Sequence, residues 1–115
     1  MLSSKLSISL LGSKHEIIVS RAVIRALGKP EYVCLLKNEG QQSIAIQVCD
    51  ESHLMSFHVP EKLFDQDGNT KFRIYSRDFT RDLIEIANFD NAIRYTFTGT
   101  LVEEHHAVIF ALSGI

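Results

Sequence analysis

Ser20-Arg21-Ala22-Val23-Ile24-Arg25-Ala26-Leu27 and Ser76-Arg77-Asp78-Phe79-Thr80-Arg81-Asp82-Leu83 are two copies of one phrase, Ser-Arg-x-x-x-Arg-x-Leu. Each follows a short β-like run, Glu16-Ile17-Ile18-Val19 in the first case and Phe72-Arg73-Ile74-Tyr75 in the second. A serine between a strand-like and a helix-like run is an N-cap, its hydroxyl placed to accept a hydrogen bond from a free backbone N–H of the first helical turn. Two such junctions, about half a chain length apart, predict an internal duplication.

The flanks agree. Leu6, Ile8 and Leu10 alternate with Ser7 and Ser9, the period of a half-buried strand. Gly12-Ser13-Lys14 supplies a turn, so a hairpin opens the chain. The first helix is expected from Arg21 to Leu27, with Gly28 as its C′ residue and Pro30 barring continuation. Tyr32 to Leu36 and Ser43 to Val48 follow as strands around the turn Asn38-Glu39-Gly40-Gln41.

The second half runs in the same order. Met55, Phe57 and Val59 alternate, Pro60 ends the strand, and Asp65-Gln66-Asp67-Gly68-Asn69 is the strongest turn signal in the chain. A helix is expected from Arg77 to about Ala87, with Phe79, Leu83 and Ile86 on one stripe. Ile93, Tyr95 and Phe97 alternate next, Gly99 marks a bend or bulge, Glu103-Glu104-His105 is a turn, and Val108, Phe110 and Leu112 close the chain. Each half therefore reads strand-strand-helix-strand-strand, spanning about 4–49 and 53–113. Four strands and one short helix cannot cover both faces of a sheet. Two copies can, by pairing about a pseudo-twofold axis into a mainly β barrel within a single domain, 1–115.

Composition narrows the class. With 115 residues, 45% of them apolar, the chain can bury a proper core. No apolar run reaches the roughly 20 residues that cross a bilayer, and Met1-Leu2-Ser3-Ser4-Lys5 does not read as a secretory leader, so no membrane partner and a cytoplasmic location are expected. Cys34 and Cys49 lie in separate strand-like runs and are expected to be reduced, partly buried and inert. Net charge is −2, which argues against a uniformly basic nucleic-acid surface. The charge is uneven, however: residues 1–55 carry six Lys/Arg against five Asp/Glu, and residues 56–115 six against nine.

The run Leu10-Leu11-Gly12-Ser13, Ile17-Ile18-Val19-Ser20 and Ile24-Arg25-Ala26-Leu27-Gly28, followed by two strands, resembles the swapped-hairpin domain of AbrB-type regulators and MazE-type antitoxins. The cell-division-associated MraZ proteins carry two such copies in one chain, and this sequence is similar in that respect. The resemblance covers most of the chain by pattern and few residues by identity. It implies an AbrB-like swapped-hairpin barrel and contact with double-stranded DNA through the first hairpin turn and the helix. Carried over by position, Lys14 and Arg25 would be contacts in the first half, with Arg21 added by proximity, and Lys71 and Arg81 fall nearest in the second. This chain has Leu10 or Leu11 at the family's Asp before the turn, Gly12-Ser13 at its Gly-Arg, and Ser20 and Ser76 at its helix-opening Pro. These departures bear on DNA contact more than on fold.

The residues themselves point the same way for the first half. Arg21 and Arg25 share a helix face, and residues 14–30 hold Lys14, Arg21, Arg25 and Lys29 against Glu16 alone. Such a cluster would contact backbone phosphate; as plain structure it is a solvated helix face with arginine stems over the barrel mouth. Arg77 and Arg81 repeat the spacing among Asp78, Asp82 and Glu85, with Arg81 and Glu85 expected to pair at i,i+4, so the first helix is expected to dominate any DNA contact. His15, His53, His58, His105 and His106 do not assemble a four-ligand zinc pattern, and Asp65 to Asn69 resembles a calcium-loop opening without its completing Glu. Tyr95, Phe97 and Phe110 read as core positions before a base-stacking platform. No nucleophile with a base, no carboxylate pair and no phosphate-cradling glycine loop is legible.

The expectation is therefore a non-enzymatic, cofactor-free bacterial or mobile-element DNA-binding regulator, with Lys14, Arg21, Arg25, Lys29, Arg77 and Arg81 as its contacts and no small-molecule substrate. The competing expectation is an interaction module that binds another protein or forms homo-oligomers and shares only the fold. The acidic second half favours the latter.

Overall fold

The computed structural model describes residues 5–65 and 71–112. Gln66 to Asn69 of the predicted turn lie outside the described residues.

Alternation becomes strands where it was expected. β1 (Ser7–Leu11) and β2 (Glu16–Val19) flank a 3-10 turn at Gly12–Lys14; α1 (Arg21–Ala26), β3 (Tyr32–Asn38) and β4 (Ser43–Cys49) complete the first half. The second comprises β5 (Ser56–His58), β6 (Phe72–Tyr75), α2 (Arg77–Ala87), β7 (Arg94–Val102), a 3-10 turn at Glu103–His105, and β8 (Ala107–Ala111). All eight strands join one antiparallel sheet in the order β5-β3-β4-β8-β7-β1-β2-β6, curled into a nearly closed barrel. Its ends, β5 and β6, are not paired to each other among the described residues.

The halves interleave. β5 of the second half pairs with β3 of the first, through Tyr32↔His58 to Cys34↔Ser56, while β7 of the second pairs with β1 of the first, through Ser7↔Thr98 to Leu11↔Arg94. Inward residues of the alternating runs fill the interior. Ile8, Leu10, Ile17, Val19, Val33, Leu35, Ile44, Ile46, Phe72, Ile74, Phe97, Val108 and Phe110 form one buried cluster, joined by Val23 and Ile24 of α1 and Phe79 and Leu83 of α2. The core thus draws on both halves, so neither half would keep its apolar face from water alone.

Gly99 is where β7 changes partner, pairing with β1 up to Thr98 and with β8 from Gly99 onward. A Cβ there would lie 2.6 Å from Phe110 and 2.8 Å from Val108, so only glycine lets the strand pass this close to the core ring.

The two copied serines diverge. Ser76 caps α2 as expected, its hydroxyl accepting from the Phe79 N–H at 3.3 Å. Ser20 does not cap α1: its hydroxyl accepts from the Ser7 N–H and donates to the Lys5 carbonyl, both at 3.2 Å. The reason is competition. β1 begins beside Ser20, and its backbone groups claim the hydroxyl that a six-residue helix does not hold. α1 ends at Ala26, one residue short of the expected Leu27, which serves as its C-cap before Gly28, whose φ of 84° turns the chain. Among the described residues no helix is long and apolar enough to cross a membrane.

Candidate nucleic-acid interface

Each helix sits on the turn region of the other half. From α1, the Arg21 Nε donates to the Leu63 carbonyl at 2.8 Å, in the segment that follows β5. From the α2 side, the Ser76 N–H donates to the His15 carbonyl at 3.0 Å, and the Ser13 N–H to the Asn91 carbonyl at 2.8 Å. Those bonds fasten α2 and the chain after it to the turn Gly12–Lys14. A side chain at Gly12 would collide with Asn91 and Ile84, so glycine permits the close seating.

This arrangement redistributes the predicted cations. Lys14, expected beside Arg21, Arg25 and Lys29, is exposed on a turn whose neighbouring residues, Ser13 and His15, bond to Asn91 and Ser76 on the α2 side. His15 holds a left-handed backbone, φ 52°, and lines a notch of about 350 Å³ with Gly12, Arg77, Arg81, Ile84, Glu85 and Asn91. Arg81 does not pair with Glu85 as expected. It meets Asp78 at 3.5 Å and Asp82 at 3.7 Å instead, although Arg81 and Glu85 both line the notch. Asp82 is shared with Lys37 of β3, whose hydrogen bond and charge, with Arg81, hold its carboxyl below the usual range against a smaller effect of burial.

Around α1 the setting is different. Lys29 Nζ lies 4.6 Å and Arg25 Cζ 5.2 Å from the centroid of the Phe64 ring, cation–π contacts that engage both heads. The adjoining cavity, about 430 Å³, has an apolar floor including Ile24, Val59 and Phe64 and is rimmed by Lys29, His58, Glu31 and Glu61. Lys71, the other second-half candidate, is exposed just before β6.

A polar cluster that sequence spacing could not reveal lies on the outer face of the β7-β1-β2-β6 sheet. Glu16 is 6% exposed, yet its carboxylate meets Arg94 at 3.1 Å, Arg73 at 3.4 Å and the Tyr75 hydroxyl at 3.3 Å. Arg94 also donates to Ser9 at 2.8 Å. Burial alone would raise the Glu16 pKa; the hydrogen bonds from Arg94 and Tyr75, with the charges of Arg94 and Arg73, outweigh it and hold the carboxyl below its ordinary value. The signal that could have found this cluster was alternation, which sends Ser9, Glu16, Arg73, Tyr75 and Arg94 outward.

Cys34 is fully buried and Cys49 half-buried on neighbouring strands, both reduced. Burial and the adjacent Cys49 push the Cys34 thiol up to about 11, so it stays protonated and unreactive near neutrality. Among the described residues, no group of three or more His, Cys, Asp or Glu converges to hold a metal. Phe97 and Phe110 are buried, and Tyr95 stacks on Phe89 at 4.2 Å.

Comparison with protein-family models, curated proteins and solved structures yields no match.

Proposed function

We propose that the chain is a small DNA-contacting regulator of the AbrB type, built from two swapped ββαββ repeats in tandem. The pairing order supports the repeat. Exchanging each strand for its counterpart in the other half turns β5-β3-β4-β8-β7-β1 into its own reverse, and β2–β6 into itself. The ladder β1–β2 then has β5–β6 as its counterpart, the seam left open among the described residues. A reciprocal exchange of this kind is what a tandem swapped hairpin requires.

The observation that carries the DNA reading is the seating of α2 on the first turn, which brings His15, Arg77 and Arg81 from both halves to one notch, with Lys14 exposed on the adjoining turn. Arginine and lysine heads at such a junction suit phosphate oxygens, which position a duplex without reading its sequence. The test is fluorescence anisotropy with random-sequence duplex DNA at low and moderate salt. Binding at micromolar concentration that weakens steeply as salt rises supports the reading, and no binding at low salt removes it.

A second reading draws on the outer face of β3, β4 and β8. Leu36, Ala45 and Ile109 lie in register across β3, β4 and β8, with Leu36 37% and Ile109 38% exposed. This outward apolar row favours self-association or docking of another protein. Concentration-dependent mass measured by light scattering, abolished by Ile109→Arg, would support it.

A further inference from the structure

We propose that the notch between the 3-10 turn Gly12–Lys14 and α2 is the phosphate seat, and that the second helix, not the first, dominates contact with the duplex. The proposal rests on the DNA reading above and names the part of the surface that serves it. Arg77 and Arg81 stand one helical turn apart along its wall, and His15 closes the same end, where the Ser76 N–H holds the His15 carbonyl. Lys14 is exposed on the turn that forms the opposite wall.

Two guanidinium groups at i,i+4 repel each other unless an anion lies between them. Asp78 and Asp82 answer Arg81, yet no carboxylate among the described residues lies within ion-pair distance of Arg77. Glu85, two turns along the helix from Arg77, also lines the notch, so its wall runs from cationic to acidic along α2. That polarity seats a phosphodiester oxygen near Arg77 and keeps the strand from running deeper.

The junction at α1 offers the contrast. Its cavity has an apolar floor, its Lys29 and Arg25 heads lie over Phe64, and Glu31 and Glu61 stand at its rim. A phosphate there would meet two carboxylates. The pseudo-equivalent junctions have therefore diverged, one kept for an anion and one closed over by an aromatic ring.

The test compares duplex affinity across a salt series for the native chain, Arg77→Ala/Arg81→Ala, and Arg25→Ala/Lys29→Ala. All four side chains are exposed, and a circular dichroism melt of each variant verifies folding. The double change in α2 is expected to weaken binding about tenfold or more at low salt and to lower the salt slope by about 2, roughly one unit for each phosphate that is no longer neutralised. The α1 variant is expected to weaken binding less than about threefold. If the α1 variant loses affinity and the α2 variant does not, the notch is not the seat, while the DNA reading stands. If the native chain does not bind duplex even at low salt, both fall together.

Discussion

Arg94 on β7 reaches over β1 to place its Nη2 3.1 Å from the Oε1 of Glu16 on β2. With Arg73 and Tyr75 of β6 on the other side of the carboxylate, one buried side chain ties strands of both halves together. Glu16 is the pin of the outer sheet face, and its loss exposes what it contributes. Glu16→Gln is expected to cost about 1–3 kcal/mol, at the lower end because both arginines are half-exposed and partly hydrated when released. The pH dependence has a definite sign. A carboxyl held below its ordinary value stabilises the fold above that value and loses the contribution as pH falls through the lowered one. Urea unfolding should therefore show the native chain losing its advantage over Glu16→Gln as pH drops below about 4.3. A constant difference from pH 7 to pH 2 would contradict this.

Gly99 is packed too closely against the core to accept a side chain. Gly99→Ala places a methyl 2.6 Å from Phe110 and 2.8 Å from Val108, and the crowded ring has to shift. A loss of about 1–3 kcal/mol is expected. Because Phe110 is wholly buried, Phe110→Leu in the same background should recover part of it, read as the thermal midpoint. An unchanged midpoint in Gly99→Ala would mean that β7 does not approach the core here.

Ser20 and Ser76 occupy the same place in the copied phrase but answer different partners. Ser76→Ala removes a cap and is expected to cost about 1 kcal/mol. Ser20→Ala instead frees the Ser7 N–H and the Lys5 carbonyl. Amide exchange separates the two: the Ser7 amide should exchange faster in Ser20→Ala only, and the Phe79 amide in Ser76→Ala only. Faster exchange at Val23 in Ser20→Ala would show a cap after all.

The two thiols differ as well. At pH 8, Cys34, with its thiol near 11 and no exposure, is expected to react with a thiol reagent only on unfolding. Cys34→Ala should therefore leave the native labelling rate unaltered. A marked drop in that rate would show Cys34 to be accessible.

The elements were legible because their period is local. Leu6-Ser7-Ile8-Ser9-Leu10 and Met55-Ser56-Phe57-His58-Val59 declare strands without reference to anything distant, although β5 proves shorter than the alternation that marks it. Pairing was not local, and what it decides could not be read. Lys14 is close in sequence to Arg21, yet β1 and β2 carry it to α2, so the predicted cluster divides into two junctions. Glu16 looked like a lone acid among cations because Arg73 and Arg94, its partners, are far along the chain. Ser20 read as a cap because the competing Ser7 N–H reaches it only when the hairpin forms. Arg81 was assigned to Glu85 by helical spacing, a rule that does not weigh the nearer carboxylates of Asp78 and Asp82.

Where a duplex touches the chain decides between the two junctions and the apolar row. Amide chemical shifts mapped during titration with a short DNA duplex at low salt test this most directly. The largest changes are predicted at Lys14, His15 and Ser76 to Arg81, with smaller ones at Arg25 and Lys29. Changes confined to Leu36, Ala45 and Ile109, or none at all, would contradict it.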